Sequence, residues 1–269
     1  MNTHEQTTFN RGATSRADGA RLILSLGIPV LAAAAVTALW CRGSVSAGGP
    51  SGPATDVREA TGRPELALGR TELNDYDPPE PGSYSLPVVK AAADGQVLDS
   101  TGRSQSLRSM LEGRVTILSF VYLRCASPSA CPYATGVLRQ IHEVTRRDPS
   151  LTPNVQLITL SFDPGHDTPQ RMADYGDLFR GKGGADWHFL TTRGEAELKP
   201  ILQAYDQTVD RKANMNDPLG PYFHPVRVYL IDPAGRIRNI YSFGMLDPRM
   251  IVTDVRTLMM EARNVTARD

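Results

Sequence analysis

The fold is decided near the middle of the chain by an almost continuous β-forming run, VTILSFVY at residues 115–122. The run is apolar at odd and even positions alike, which is typical of a central strand covered on both faces. Cys125 follows shortly after it, and Cys131-Pro132 opens a helical pattern with proline at the first helical position. The sequence therefore predicts a strand, a turn that carries two cysteines, and a helix.

The elements on either side of this unit alternate between strand and helix. Downstream lie a second buried strand at 155–162, a helix from Thr168-Pro169, a short strand at 187–190 and a helical stripe at 198–205. Strands at 226–231 and 236–243 flank a DPAG turn, and a final helix follows. Parallel crossovers followed by an antiparallel hairpin predict an α/β, thioredoxin-like fold, with a central mixed sheet flanked by helices.

Composition limits the class of protein. The chain has 269 residues, 41% of them hydrophobic, which suffices for one good core. Its 29 basic and 29 acidic residues give a formal net charge of zero, so we expect no nucleic-acid partner. Three cysteines are too few for a disulfide framework.

Residues 22–40 are nineteen uncharged residues between Arg21 and Arg42, long enough at ~1.5 Å per residue to span the bilayer core. Basic residues precede the segment, while the next one after Arg42 is Arg58. This asymmetry predicts a cytoplasmic N-terminus, a single membrane pass and an extracytoplasmic C-terminal domain.

Three alternatives to an uncleaved anchor stay open. A signal peptide could be cleaved near Val45-Ser46-Ala47, Cys41 could be lipidated despite the bulky Trp40, or the segment could be a core helix. The predicted organisation is a cytoplasmic tail at 1–21, an anchor or signal at 22–40, a flexible tether at 41–84, rich in Gly, Pro and Ser, and the thioredoxin-like domain at 85–269.

The two neighbouring cysteines are the first candidates for chemistry. A thiol near a helix N-terminus feels the positive end of the helix dipole, which favours the thiolate that attacks disulfides and binds soft metals. The alternatives are a structural disulfide or two unrelated buried cysteines.

His224 is the third candidate, because it stands just before the strand at 226–231. In a thioredoxin-like sheet, the loop that enters this strand lies beside the cysteine turn; here that loop, 214–223, looks mobile. Two thiolates and one imidazole suit three-coordinate Cu(I) and can hold Cu(II), whereas zinc usually takes a fourth ligand, and none is evident. Alone, His224 would be read as a surface or capping residue.

Several motifs together resemble the Sco/SenC family. They are FVYLRC at 120–125, Cys131-Pro132, SFDPGHDTP at 161–169, WHFLT at 187–191, and His224 ahead of YLIDPAG at 229–235. The resemblance covers residues 95 to 262. It implies a membrane-tethered, thioredoxin-like copper chaperone for the Cu(A) centre of cytochrome c oxidase, with Cys125, Cys131 and His224 as copper ligands.

The resemblance also implies that Asp163 is an outer-shell or partner-contact group, although the same residues make good turn and cap chemistry without any such role. One feature departs from the family pattern. The family usually has three residues between its cysteines, and this chain has five, 126–130. The two thiolates then either converge, since loop closure costs little at this length, or are splayed apart.

We therefore expect one copper ion per chain, passed by ligand exchange to oxidase subunit II or a related copper protein, with a thiol reductant protein as a further partner. The rival hypothesis is a thiol–disulfide oxidoreductase, which needs both cysteines but not His224. A peroxidase is disfavoured because no Pro-x-x-x-Thr-x-x-Cys pattern surrounds Cys125. A redox-silent domain clipped by a disulfide is the last alternative.

Overall fold

The computed structural model describes residues 74–266. The strands are β1 (Lys90–Ala91), β2 (Gln96–Leu98), β3 (Ser104–Ser106), β4 (Val115–Val121), β5 (Val155–Ser161), β6 (Asp186–Leu190), β7 (Asp210–Arg211), β8 (Tyr222–Phe223), β9 (Arg227–Ile231) and β10 (Arg236–Ser242). The α-helices are α1 (Leu107–Leu111), α2 (Cys131–Arg147), α3 (Pro169–Asp177), α4 (Glu195–Ala204) and α5 (Pro248–Thr266).

Six of the strands form one mixed sheet in the order β1-β10-β9-β4-β5-β6. Strands β4, β5 and β6 run parallel, and β9 joins β4 antiparallel, with Leu118 opposite Tyr229. Strands β10 and β1 continue the antiparallel half. The mixed sheet with flanking helices that the sequence predicts is therefore confirmed.

Strand β4 is the central strand, and all seven of its residues are buried. Ile117 packs on one face of the sheet with the apolar sides of α2, α3 and α5. Its neighbour Leu118 packs on the other face with α1, α4 and Val97 of β2. Helices cover both faces, which explains why β4 shows no polar alternation.

Two short features escape sequence analysis. Strand β1 forms one edge of the sheet, and β7 pairs with β8 as a separate antiparallel ribbon. Each of these strands has two residues, too few for an alternating pattern to be recognised. Strand β8 lies inside the segment expected to be a mobile loop, and it ends at the residue before His224.

Residues 74 to 84, which composition assigns to the tether, make ordered contacts with α5. Arg249 Nη2 donates to the Asn74 carbonyl oxygen at 2.6 Å, and the Gly82 N–H donates to Thr257 Oγ1 at 3.0 Å. The packed part of the chain thus begins before residue 85, because a few specific hydrogen bonds outweigh a composition typical of a linker.

The rest of the predicted tether, the predicted membrane segment at 22–40 and the N-terminal tail lie outside the described residues. Across residues 74–266, no helix is both long and apolar enough to cross a bilayer.

Candidate metal centre

Cys125 lies in the turn that follows β4. Its N–H donates to the Tyr122 carbonyl oxygen at 3.2 Å, and the Leu123 N–H donates to Asp167 Oδ2 at 3.0 Å. These bonds fold the chain back at the carboxyl end of the central strand. The residue is 8% exposed, so the thiol is largely shielded from water.

Cys131 is the first residue of α2 and is 3% exposed. Ala130, which precedes it, offers no side-chain acceptor to the first turn, and Pro132 has no N–H to donate. The positive end of the helix dipole is therefore left to act on the thiol.

The five residues between the cysteines form a compact turn. The Ala130 N–H donates to the Ser127 carbonyl oxygen at 3.1 Å, and the Ala126 N–H to the Leu219 carbonyl oxygen at 3.4 Å. The extra length is taken up by this turn, and the two sulfurs converge instead of being splayed.

His224 completes the cluster. Its Nε2 lies 3.9 Å from Cys125 Sγ and 3.5 Å from Cys131 Sγ, and the three potential ligand atoms all lie within 4.8 Å of one another. Nδ1 lies 3.4 Å from the Pro225 carbonyl oxygen, which favours the tautomer whose Nε2 lone pair faces the sulfurs. The structure thus brings together the three residues that the sequence selects.

The donor set fits a soft, three-coordinate ion. With bonds of ~2.3 Å to sulfur and ~2.0 Å to nitrogen, a trigonal site requires sulfur–nitrogen separations of about 3.7 Å. The observed separations of 3.5 and 3.9 Å lie on either side of that value. Two thiolates with one imidazole are the ligands that Cu(I) prefers. In residues 74–266 the cluster holds these three ligands and no fourth, which disfavours zinc.

The two thiols have opposite electrostatic character. A hydrogen bond from Cys131, helped by one from His224, lowers the pKa of Cys125. Burial, together with the hydrogen bond and the negative charge of Cys125, raises the pKa of Cys131. The pair therefore holds one thiolate and one thiol near neutral pH.

An aromatic wall encloses the imidazole. The His224 ring lies 5.0 Å from the Phe162 ring and 5.5 Å from the Tyr122 ring, measured between centroids. Tyr222 packs edge-on against Tyr122 at 5.1 Å. The wall fixes the plane of the imidazole and keeps water from one side of the cluster.

Asp163 lies outside the cluster of ligand atoms and connects its two halves. Arg124, adjacent to Cys125, donates from Nη2 to Asp163 Oδ2 at 2.7 Å. Tyr222, two residues before His224, donates from its hydroxyl to Asp163 Oδ1 at 3.0 Å. Asp163 is 5% exposed, so both bonds are sheltered from water. The carboxylate therefore joins the cysteine turn to the β7–β8 ribbon that precedes His224, and the outer-shell role that the family resemblance implies for it stays a prediction.

Two further residues shape the site without being selected from sequence. Asp167 is fully buried and accepts from Ser161 Oγ at 2.6 Å, besides holding Leu123. Gly220 has φ of +100°, and an added Cβ would lie 2.1 Å from Tyr122 Oη. Asp167 lies inside the SFDPGHDTP motif, and that motif could have indicated its part in the site. No local sequence pattern indicates that Gly220 contacts the site.

Asp163, His166 and Asp167 also lie close together, but the four carboxylate oxygens and His166 Nδ1 already have protein partners. His166 Nδ1 is 2.7 Å from Asp167 Oδ1, and the other carboxylate oxygens accept the bonds given above. This group is a structural hydrogen-bond network, and His166 stays apart from the cysteine cluster.

Fold and site together define a thioredoxin-like domain with a soft-metal or redox centre at the turn from its central strand into a helix. The SCO1/SenC family model matches residues 91–260, so the chain belongs to the SCO1/SenC family. A Stutzerimonas stutzeri protein whose name suggests copper binding is 29% identical over 121 residues, 44% of this chain. The match spans 53% of that relative, about half of its length.

Solved Sco structures share the fold. Arabidopsis thaliana ScoI with copper bound gives a TM-score of 0.53 at 19% identity, over 64% of this chain and 99% of that one. BsSco, a member of the Sco family of cytochrome c oxidase assembly proteins in which a disulfide switch has been identified, gives 0.52 at 20% identity, over 65% and 98%. The mixed sheet described above is therefore that of the Sco proteins.

Proposed function

We propose that this protein binds one copper ion through Cys125, Cys131 and His224 and delivers it to the Cu(A) site of cytochrome c oxidase during assembly. The observation that carries the proposal is the convergence of two sulfurs and one imidazole nitrogen within 4.8 Å. Membership of the SCO1/SenC family and the copper bound to Arabidopsis ScoI support the choice of metal. The description of BsSco supports the choice of recipient.

Delivery requires that the ion be reachable by a partner's ligands. Both cysteines are buried, whereas His224 is only partly buried and is attached to a short ribbon. We propose that the histidine side is the exit. A ligand from oxidase subunit II or a related copper protein replaces His224 first, and the thiolates release the ion afterwards. The histidine-bearing ribbon would then move away from the cysteine turn during transfer.

This function needs the domain on the outer side of the membrane, where the Cu(A) domain lies. We propose that residues 22–40 hold it there as a single-pass anchor. Treatment of intact cells with a protease that cleaves after arginine, followed by detection of the C-terminal domain, tests this placement. Protection of the domain in cells whose outer surface is open to the protease would contradict it.

Copper transfer to the apo-Cu(A) domain of oxidase subunit II tests the delivery step. The copper-loaded chain and a copper–chelator complex set to the same free copper concentration are each mixed with the apo domain. Copper acquired by the domain is then measured after separation. We expect faster transfer from the protein than from the chelator. Equal rates would contradict delivery while leaving binding intact, and a Cys131→Ser chain, which lacks one of the two sulfur ligands, serves as the weak-binding control.

The second candidate is a thiol–disulfide oxidoreductase that acts on partner cysteines. The lowered pKa of Cys125 beside the raised pKa of Cys131 favours it, because an attacking thiolate next to a protonated thiol is the arrangement that disulfide exchange uses. His224→Ala separates the two functions. Reductase activity toward a disulfide substrate, with dithiothreitol as reductant, should persist in that variant, whereas copper transfer should fall.

A further inference from the structure

A cavity lies on the exposed side of α2, farther along the helix from the cysteines. It has a volume of about 710 Å³ and is bounded by α2 and by the loop that follows α3, residues 178–185. At ~1.5 Å per residue, Arg139 of this cavity is about 12 Å along the helix axis from Cys131. The volume is in the range of sites for small organic ligands, roughly 300–1,000 Å³.

The cavity is strongly basic. Four cationic side chains line it, Arg139, Arg146, Arg147 and Lys182, against one carboxylate, Glu143. Four positive charges and one negative leave a local excess of three, in a chain whose formal net charge is zero. Charge is therefore concentrated here and is not a general property of the surface.

Two of these cations have no counter-ion among residues 74–266. Glu143 is engaged by Arg146 Nη2 at 2.7 Å and by Arg147 Nε at 2.8 Å. Within residues 74–266, Arg139 and Lys182 form no ion pair, and both are exposed. They approach the cavity from two different elements, the helix and the loop, so an anion between them would be held from both sides.

Two glycines enlarge the same cavity. Gly136 of α2 and Gly181 of the loop both line it, neither has a left-handed φ, and no atom lies within 4 Å of where a Cβ would stand. By contrast, Gly184 is explained by its φ of +88° and by its closeness to His142. A glycine inside a helix costs about 1 kcal/mol relative to alanine. Neither packing nor backbone geometry accounts for Gly136, whereas open space at the cavity wall does.

We propose that this cavity binds a small phosphorylated ligand carrying at least two negative charges. Arginine presents a planar fork of N–H donors that matches phosphate oxygens, and lysine adds a compact positive charge. The space kept open by the two glycines admits the ligand between them. The same chemistry is offered by a free phosphorylated metabolite and by a phospholipid whose headgroup is a phosphomonoester. The site is independent of the copper cluster.

Titration calorimetry of the full chain with inorganic pyrophosphate tests the proposal. We expect one site per chain, with about tenfold weaker binding in Arg139→Gln and in Lys182→Gln, since a charge-assisted contact of this kind is worth about one decade. Lys199→Gln removes an exposed charge on α4 and should leave binding unchanged. Pyrophosphate binding that none of the cavity variants weakens, or no binding at millimolar concentration, overturns the proposal.

Gly136→Ala separates loss of the site from loss of the fold. We expect this variant to melt at a temperature equal to or above that of the wild type, because alanine favours the helix, yet to bind pyrophosphate several-fold more weakly because the Cβ occupies the cavity wall. Unchanged binding contradicts the role assigned to Gly136. Glycerol 3-phosphate and dihexanoylphosphatidic acid, both phosphomonoesters and compared below the micelle concentration, distinguish the two sources. Tighter binding of either one identifies that source.

Discussion

Replacement of Gly220 by alanine should detach His224 from the cysteines. The residue lies in the loop that leads into β8, with φ of +100°, a conformation that costs a side-chain-bearing residue about 1–3 kcal/mol. An added Cβ would stand 2.1 Å from Tyr122 Oη and 2.8 Å from the Arg124 carbonyl oxygen. Tyr122 is 2% exposed, and the Arg124 atom belongs to the backbone, so neither can move aside easily.

The loop must therefore retreat by at least about 1.3 Å, from 2.1 to 3.4 Å, to reach an ordinary contact distance. His224 is four residues farther along and moves with it, and the hydrogen bond from Ala126 to Leu219 that ties the cysteine turn to this loop is stretched. Loss of support for a metal ligand typically weakens binding by about 10–100-fold, and we expect a loss of this size for copper. The free energy of unfolding should fall by about 1–3 kcal/mol.

A competition titration with a copper chelator measures the affinity, and electron paramagnetic resonance of the Cu(II) form reports nitrogen coordination. Gly165→Ala is the matched control, because an added Cβ there meets nothing within 4 Å. Tyr122→Phe in the Gly220→Ala background removes the closest contact and should restore part of the affinity. Wild-type affinity and an unchanged nitrogen signal in Gly220→Ala would refute the reasoning.

Three other results are expected. Asp163→Asn should weaken copper binding about tenfold, because the Arg124 ion pair that holds the cysteine turn is lost, while Asp177→Asn, at an exposed pair with Arg180, should not change it in the same competition titration. Copper(I) binding at pH 7 should release about one proton per chain, measured with an indicator in weak buffer, because the lowered pKa of Cys125 leaves only the Cys131 thiol to deprotonate; release of two protons at pH 7 would contradict the assignment. Asp254→Ala should lower the free energy of unfolding in urea by about 2–4 kcal/mol, since buried Asp254 accepts from Tyr84, Tyr241 and Asn239, and a loss below about 1 kcal/mol would show that this network contributes little.

The sequence could predict the fold wherever burial leaves a local pattern. Strand β4 could be predicted because helices cover both of its faces. All seven of its residues are therefore buried, which leaves a nearly continuous apolar run in the sequence. The start of α2 could be predicted because Pro132 follows Cys131 in the first turn of the helix. The hairpin of β9 and β10 could be predicted from its DPAG turn. In that turn, Asp232 Oδ1 accepts a hydrogen bond from the Ala234 N–H at 3.1 Å.

The site was predictable only in part, because its support depends on contacts between distant segments. Cys125, Cys131 and His224 could be selected from their places at element ends and from the Sco/SenC motifs. Asp163 could be suspected, but its partners lie 39 and 59 residues away, so no local pattern reveals the clamp. Gly220 occurs in a stretch rich in glycine and proline that looks mobile, although its lack of a side chain serves a close contact with Tyr122.

The length of the cysteine loop shows the same limit. Five intervening residues are compatible with converging or splayed thiols, and sequence alone leaves both open. The thiols are brought together by the turn from Ser127 to Ala130 and by the hydrogen bond that the Ala126 N–H donates to Leu219. Leu219 lies in the loop that leads to His224. The two thiols therefore converge because the loop between them is bonded to Leu219, a residue far away in sequence.

An anaerobic Cu(I) titration of the reduced protein against a competing chelator, run beside Cys125→Ser, Cys131→Ser and His224→Ala, tests the central claim most directly. We expect one copper per chain, bound tightly enough to compete, with each of the three substitutions weakening it. Failure to compete with the chelator, while the two cysteines still cycle between dithiol and disulfide, would contradict the copper site and leave the oxidoreductase.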